Sequence, residues 1–174
     1  MDVAELLAEF LNRLSHFVDV TYYGCLDNHS RIEPNNEASL DLESMARMVP
    51  WYIKSRLHFN KRVNINIENK VDPDIITYKV FDYDIAAVHG HKDSQEKVIQ
   101  NLSLMTKKNY DVVFTAHRHH FSANEINETI LLSNGSLMGT DDYAKNVRLT
   151  AKPSQMLIIH SQENPVEDIK RIVL

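Results

Sequence analysis

Nine histidines occur in 174 residues, and five of them fall in two tight groups: His89 and His91 in AVHGHKD, and His117, His119 and His120 in TAHRHH. A third polar group is Asp27-Asn28-His29-Ser30-Arg31. Each group follows a short run of β-branched, aromatic or aliphatic residues, VDVTYYGC, DIAAV and DVVFT respectively. Such runs read as strands. In layered α/β folds, ligand sites gather in the crevice beyond the C-terminal ends of strands. Neutral imidazole is the commonest transition-metal ligand, and with carboxamide oxygen it suits Mn, Fe, Zn or Ni. Gly90, between two of the histidines, permits unusual dihedrals and close backbone approach. His16, His58 and His160 are read without a chemical role; His16 sits at a helix C-terminus, where a cation complements the dipole.

The elements that must position these groups alternate along the chain. Residues 2–17 read as an amphipathic helix, with Val3, Leu6, Leu7, Phe10, Leu11 and Leu14 at helical spacing. A strand follows over 18–25, then a polar loop over 27–39. A second helix is expected over 40–58, kinked or broken by Pro50. Strands are expected at 63–68, in IITYKV and in YDIAAVHG, the last two joined by a tight turn at Phe81 to Asp84. A third helix is expected over 92–108, and strands at 111–117, 120–126 and 129–134. The tail adds two more, in QMLIIHS and IKRIVL. This order predicts an α/β protein of layered mixed β-sheets flanked by helices, folded as a single domain over 1–174.

Composition excludes several classes. The formal charge is −5, from 19 Lys and Arg against 24 Asp and Glu, which argues against a generally basic nucleic-acid coat. Lys54, Arg56, Lys61 and Arg62 read as a solvated face rather than a polyanion groove. No apolar run approaches the length of a membrane span. The opening MDVAELLAEF carries acids where a signal peptide carries bases, and the single Cys25 fits a reducing compartment, so a cytoplasmic location is expected.

Three motifs in order resemble the later part of a calcineurin-like metallophosphoesterase: LDNHSRI at 26–32 for the Asn-His motif, AVHGHKD at 87–93 for the lone-His motif, and TAHRHH at 115–120 for His-x-His. The turn NGS at 134–136 is similar to the one that often follows the last motif. The stretch NGSLMGTDDYA is most similar to enzymes of bacterial viruses, some of them of the DNA-repair-exonuclease group. The resemblance covers roughly residues 18–174 and implies a metallophosphoesterase-like fold. It implies that Asn28, His89 and His117 bind one divalent ion (Mn, Fe, Zn or Ni), that His119 binds a second, and that His29 protonates the leaving oxygen. Two such ions polarise phosphoryl oxygens and activate a water for in-line attack. Arg31 is a candidate phosphate contact. His91 and His120 have no fixed role in the family and are expected to be supporting or surface residues.

The chain departs from the pattern at Asp27, where glycine is usual, at Ser30, where an acid is usual, and at Ala116, where glycine is usual. No Asp-x-His and no Gly-Asp-x-x-Asp precedes residue 26. The expectation is therefore a phosphodiesterase or nuclease module that lacks the family's N-terminal strands. Alone it would be weakly active or inactive. It would meet a second copy, or a second chain carrying the missing motifs, and act on phosphate esters, DNA or RNA among them. The alternative is a non-catalytic regulatory or interaction protein that reuses the fold.

Overall fold

The computed structural model describes residues 2–33, 40, 43–146 and 148–174. Part of the loop expected over 27–39 and the start of the helix expected over 40–58 lie outside these residues. The chain forms two compact units, Met1–Ile76 and Thr77–Leu174. It is mixed α/β, as the alternating pattern predicts, with a five-stranded mixed sheet, two smaller sheets and four α-helices among the described residues.

In the first unit, α1 (Asp2–Leu14) and α2 (Met48–Arg56) accompany a parallel pair, β1 (Val20–Tyr22) and β2 (Val63–Ile65), in register Val20↔Val63 to Tyr22↔Ile65. Ala8, Leu11, Val20, Ile53, Leu57 and Ile65 form the core. The helix at 2–14 is as expected, but its buried side is Ala4, Ala8 and Leu11. Val3, Leu6 and Phe10, which share the helical apolar spacing, are 66%, 61% and 59% exposed. Small alanines bring the α1 backbone close to its neighbours and turn the larger side chains outward. A separate 3₁₀ turn at Met45–Arg47 precedes α2, with the Ser44 hydroxyl accepting from the Ala46 N–H. Pro50 falls in the first turn of α2, where its missing N–H costs no intrahelical bond, so it starts the helix rather than kinking it. Two ion pairs, Arg56 with Glu5 at 3.3 Å and Arg62 with Asp19 at 2.8 Å, occupy half of the basic face read as solvated. The Tyr52 hydroxyl donates to Glu5 at 2.5 Å, and that bond holds the Tyr52 phenol above its ordinary pKa.

In the second unit the sheet order is β3-β4-β5-β7-β6. The strands are β3 (Ile76–Val80), β4 (Tyr83–Ala87), β5 (Val112–Thr115), β6 (Ser122–Ile126) and β7 (Thr129–Ser133). β4, β5 and β7 are mutually parallel and β6 runs antiparallel to β7. The two-residue turn from β3 to β4 has Phe81 at φ 53°, and the one from β6 to β7 has Asn127 at φ 55°. Helix α3 (Val98–Thr106) is the crossover between β4 and β5, shorter than the expected 92–108, and buries Val98 and Leu102. It ends at Lys107 in a left-handed conformation. One face of the sheet, Ile85, Val112 and Leu132, packs with Met156, Ile158 and Ile169. These belong to the antiparallel pair β8 (Ser154–Ile159) and β9 (Asp168–Val173). The alternate residues Ala86, Val113 and Leu131 are equally buried, so the middle of the sheet is covered on both faces. A short helix absent from the sequence reading, α4 (Asp142–Asn146), is capped by Asp141, whose carboxylate accepts the Ala144 N–H at 2.7 Å. Among the described residues no helix is long and apolar enough to cross a membrane.

The Asn134-Gly135-Ser136 turn staples β7 to β8. Asn134 donates its N–H to Thr115 O, its Oδ1 accepts the Met156 N–H at 3.0 Å, and its Nδ2 donates to Gln155 Oε1 at 2.9 Å. A Cβ at Gly135 would stand 2.3 Å from Ser154 Oγ and 2.9 Å from the Ser154 carbonyl oxygen. The carbonyl belongs to a strand and has no room to yield. Gly135→Ala is expected to lower stability by about 1–3 kcal/mol, as overpacking does. Urea unfolding checks this, and an unchanged midpoint would show that β8 moves freely against the turn.

Candidate metal centre

The parallel pairing of β4 and β5 brings two of the histidine groups to one sheet end. Ala87 pairs with Phe114, Val88 N–H donates to Phe114 O, and Ala116 N–H donates to His89 O at 3.0 Å. The strands thus stay hydrogen-bonded past their formal ends, and His89 and His117 leave side by side. Their ring centres stand 5.1 Å apart at an interplanar angle of 67°.

His91 joins them. Its ring centre is 5.4 Å from that of His89 and 6.2 Å from that of His117. Gly90, at φ 99°, turns the chain between the two histidines. A side chain there would be strained even though its Cβ would meet only an ordinary contact, Thr115 Cβ at 3.5 Å. The sequence reading treated His91 as a supporting residue. The conformational freedom that the sequence assigns to Gly90 is what lets the chain turn between His89 and His91.

The backbone after β5 is strained. His117 has φ 59°, and the Arg118 N–H donates to the Ala116 carbonyl at 2.6 Å. An i→i+2 bond around a residue of positive φ is the rarer, strained form of γ-turn. His119 is also left-handed, at φ 61°. A non-glycine residue pays roughly 1–2 kcal/mol for each such conformation. Outliers of this sort persist where surrounding structure over-determines them, and they cluster at functional sites. Here Ala116 N–H and Asn134 N–H clamp the strand exit on both sides. His119 is half-buried and His120 exposed. The ring contacts link His89, His91 and His117, and His119 follows two residues beyond them. A small open cleft beside the histidines is lined by Gly90, Asp93, Ser94, Thr115, Ala116 and Arg118.

Asn28, His29 and Arg31 lie in the first unit. Their loop is shaped by Asp27. Its Oδ1 accepts the N–H groups of His29 at 2.6 Å and Ser30 at 2.9 Å, and its Oδ2 accepts the Ser30 hydroxyl at 2.8 Å. The Asp27 carboxylate is thus a cap for the turn carrying Asn28 and His29. Ser30 is hydrogen-bonded to Asp27 and to the Ser44 hydroxyl, both at 2.8 Å. An antiparallel bridge between Arg31 and Ser44 holds the far end of the loop, and the Arg31 Nε is buried. His29 is exposed and Asn28 half-buried. Burial, and secondarily the nearby Cys25, push the Tyr22 phenol above its ordinary pKa, so it stays neutral across the physiological range.

The spacing of the rings bears on whether they can hold a divalent ion. A nitrogen ligates zinc at about 2.0–2.1 Å, which puts each imidazole centre about 3.2 Å from the ion, and two rings at a tetrahedral angle stand about 5.2 Å apart. The 5.1 Å between His89 and His117 fits that spacing. Among the described residues, no three His, Cys, Asp or Glu side chains close around one point. The spacing of this pair is the extent of the fit to an ion among the described residues.

No family model matches the chain. Solved structures with partial similarity include a novel archaeal phosphodiesterase, 17% identical with a TM-score of 0.48, covering 76% of this chain and 64% of that one. They also include a double mutant of Vps29 from Entamoeba histolytica, 16% identical with a TM-score of 0.49, covering 95% and 88%. Wild-type Vps29 complexed with zinc from the same organism is 15% identical with a TM-score of 0.44, covering 88% and 97%. In sequence, the SPbeta prophage-derived uncharacterized protein YonJ of Bacillus subtilis (strain 168) is 28% identical over 162 residues. That match takes in 88% of this chain and 39% of YonJ, so the chain spans about two fifths of its relative's length.

Proposed function

We propose that this chain is a metal-dependent phosphoesterase module of the calcineurin-like kind, acting on phosphodiesters, nucleic-acid ends among them, in the cytoplasm. The observation that carries the reading is the convergence of His89 and His117 at the exits of adjacent parallel strands, with His117 held in a strained γ-turn. Three motifs in family order supply the rest. The resemblance assigns Asn28, His89 and His117 to one divalent ion and His119 to a second. An ion held there would neutralise phosphoryl oxygens and lower the pKa of water. His29, on a turn fixed by the Asp27 carboxylate, donates a proton to the leaving oxygen, and Arg31 contacts the phosphate. The metal is one of Mn, Fe, Zn or Ni. These donors are neutral, so a carboxylate from a partner chain would strengthen binding, and the isolated chain works slowly.

The outward stripe on α1, Val3, Leu6 and Phe10 followed by Leu14, favours a second reading, in which the chain acts through a partner and has no turnover of its own. One assay separates the two. Hydrolysis of bis-p-nitrophenyl phosphate is measured with each of the four metals, for the native chain and for His117→Ala. The enzyme reading expects slow, metal-dependent turnover that falls to the uncatalysed rate in the variant. Metal binding without turnover under any of the four ions would favour the partner-binding reading.

A further inference from the structure

Helix α1 carries two apolar sides, and the core of the first unit uses only one of them. Ala4, Ala8 and Leu11 are buried, whereas Val3, Leu6, Phe10 and Leu14 are exposed. At about 100° per residue these four fall on one strip, centred roughly 130° round the helix from the buried side. The strip runs on past the end of α1. The N–H groups of Phe17 and Val18 donate to the Leu14 carbonyl at 3.0 and 3.2 Å, which winds the chain through a further turn and leaves Phe17 82% exposed. The five side chains together show roughly 500–600 Å² of apolar surface, the upper end for a patch on a monomer.

One flank of the strip carries charges in a useful order. Glu9 and Arg13 lie on the same side of it, about one turn apart, and both are exposed. Among the described residues neither side chain takes an ion pair. Glu5 stands further round the helix and is already held by Tyr52 and Arg56.

We infer that α1 is a self-association helix, through which two copies of this chain pair antiparallel about a two-fold axis level with Leu11 and Asn12. The inference rests on that part of the partner-binding reading in which this stripe meets another chain, and it names the partner as a second copy. The two-fold fixes which residues meet. Leu6 of each copy faces Phe17 of the other, Phe10 faces Leu14, and Glu9 faces Arg13, so every contact is made twice. A parallel pairing would set Glu9 against Glu9 and Arg13 against Arg13, and charge therefore selects the antiparallel one. The area agrees. Two such strips bury about 1,000–1,200 Å², enough for a specific interface and typical of a reversible one.

Sedimentation velocity of the full chain over about 1–200 µM should show a monomer–dimer equilibrium with Kd of about 1–100 µM. Phe10→Glu, at an exposed position, should leave the melting temperature unchanged and weaken the dimer by at least about tenfold. Glu9→Arg and Arg13→Glu should each weaken it as well, since one lines the seam with bases alone and the other with acids alone. Mixed in equal amounts, these two variants should form a heterodimer at least as tight as the native pair, because every charge then meets its opposite. A native chain that stays monomeric throughout overturns the self-pairing and gives the stripe to a different chain. A dimer that Phe10→Glu does not weaken uses another face and overturns it too. Charge variants that fail to recover association on mixing overturn the antiparallel register. The partner-binding reading itself fails on a separate measurement, turnover of bis-p-nitrophenyl phosphate by the native chain.

Discussion

In the proposed metal site, His89→Ala is expected to abolish transition-metal binding. His89 sits where β4 exits the sheet, and its ring lies 5.1 Å from His117 and 5.4 Å from His91, so it is the shared neighbour of the cluster. Losing even an outer-shell partner of a metal ligand costs about 10–100-fold in affinity, and losing a direct donor costs more. The fold should survive. The bond that ties the two strand exits together runs from Ala116 N–H to the main-chain oxygen of residue 89, which alanine keeps. The side chain is half-buried and stands beside the His91 and His117 rings, so metal-free stability should fall by about 1 kcal/mol. Metal per chain after dialysis, measured by elemental analysis beside the unfolding curve, checks both halves. Unchanged metal content would remove His89 from the site.

Leu132→Ala is expected to cost about 2–5 kcal/mol of stability. Leu132 is fully buried on β7, paired with Phe114 on β5 and Ala123 on β6. It packs with Ile85 and Val112 against the β8–β9 pair. Truncation there leaves a cavity between two sheets, where strands locked by ladders on both sides cannot collapse to fill it. Because domains of this size hold only about 5–15 kcal/mol, the variant would lose a large share of its stability. A saturating metal should restore part of it, about 2.7 kcal/mol at a hundred times Kd, provided the ion binds only the folded chain. Thermal and urea unfolding, with and without metal, give both numbers. A variant as stable as the native chain would mean that the sheet interface repacks.

Much of the architecture could be read from residue patterns, for physical reasons that differ by element. The buried parallel strands announce themselves as short apolar runs, DIAAV and DVVFT, and both formed where expected, though trimmed at their ends. Helix α1 was legible as a helix, but its inward side was not. Its buried residues are alanines, which carry little weight in a hydrophobic pattern, and its large side chains face out. Pro50 was misread because the helix starts only two residues before it, preceded by a separate turn. Helix α4 had a legible cap in Asp141, but its five residues fall below the length at which periodicity is visible. The division into two compact units left no trace in composition, since no glycine- or proline-rich linker marks it. At the candidate site, the placement of His89 and His117 at strand exits follows from the sequence. The proximity of His91 and the left-handed conformations at His117 and His119 do not, because both are set by the clamped backbone.

Those two left-handed histidines carry a consequence for how the protein would respond to selection. A glycine or an asparagine at 117 or 119 would relieve roughly 1–2 kcal/mol of backbone cost at each position. A screen that rewards heat resistance alone would therefore discard these imidazoles early and return a sturdier chain with an empty loop. Histidine at these two positions thus carries a backbone cost that glycine would not.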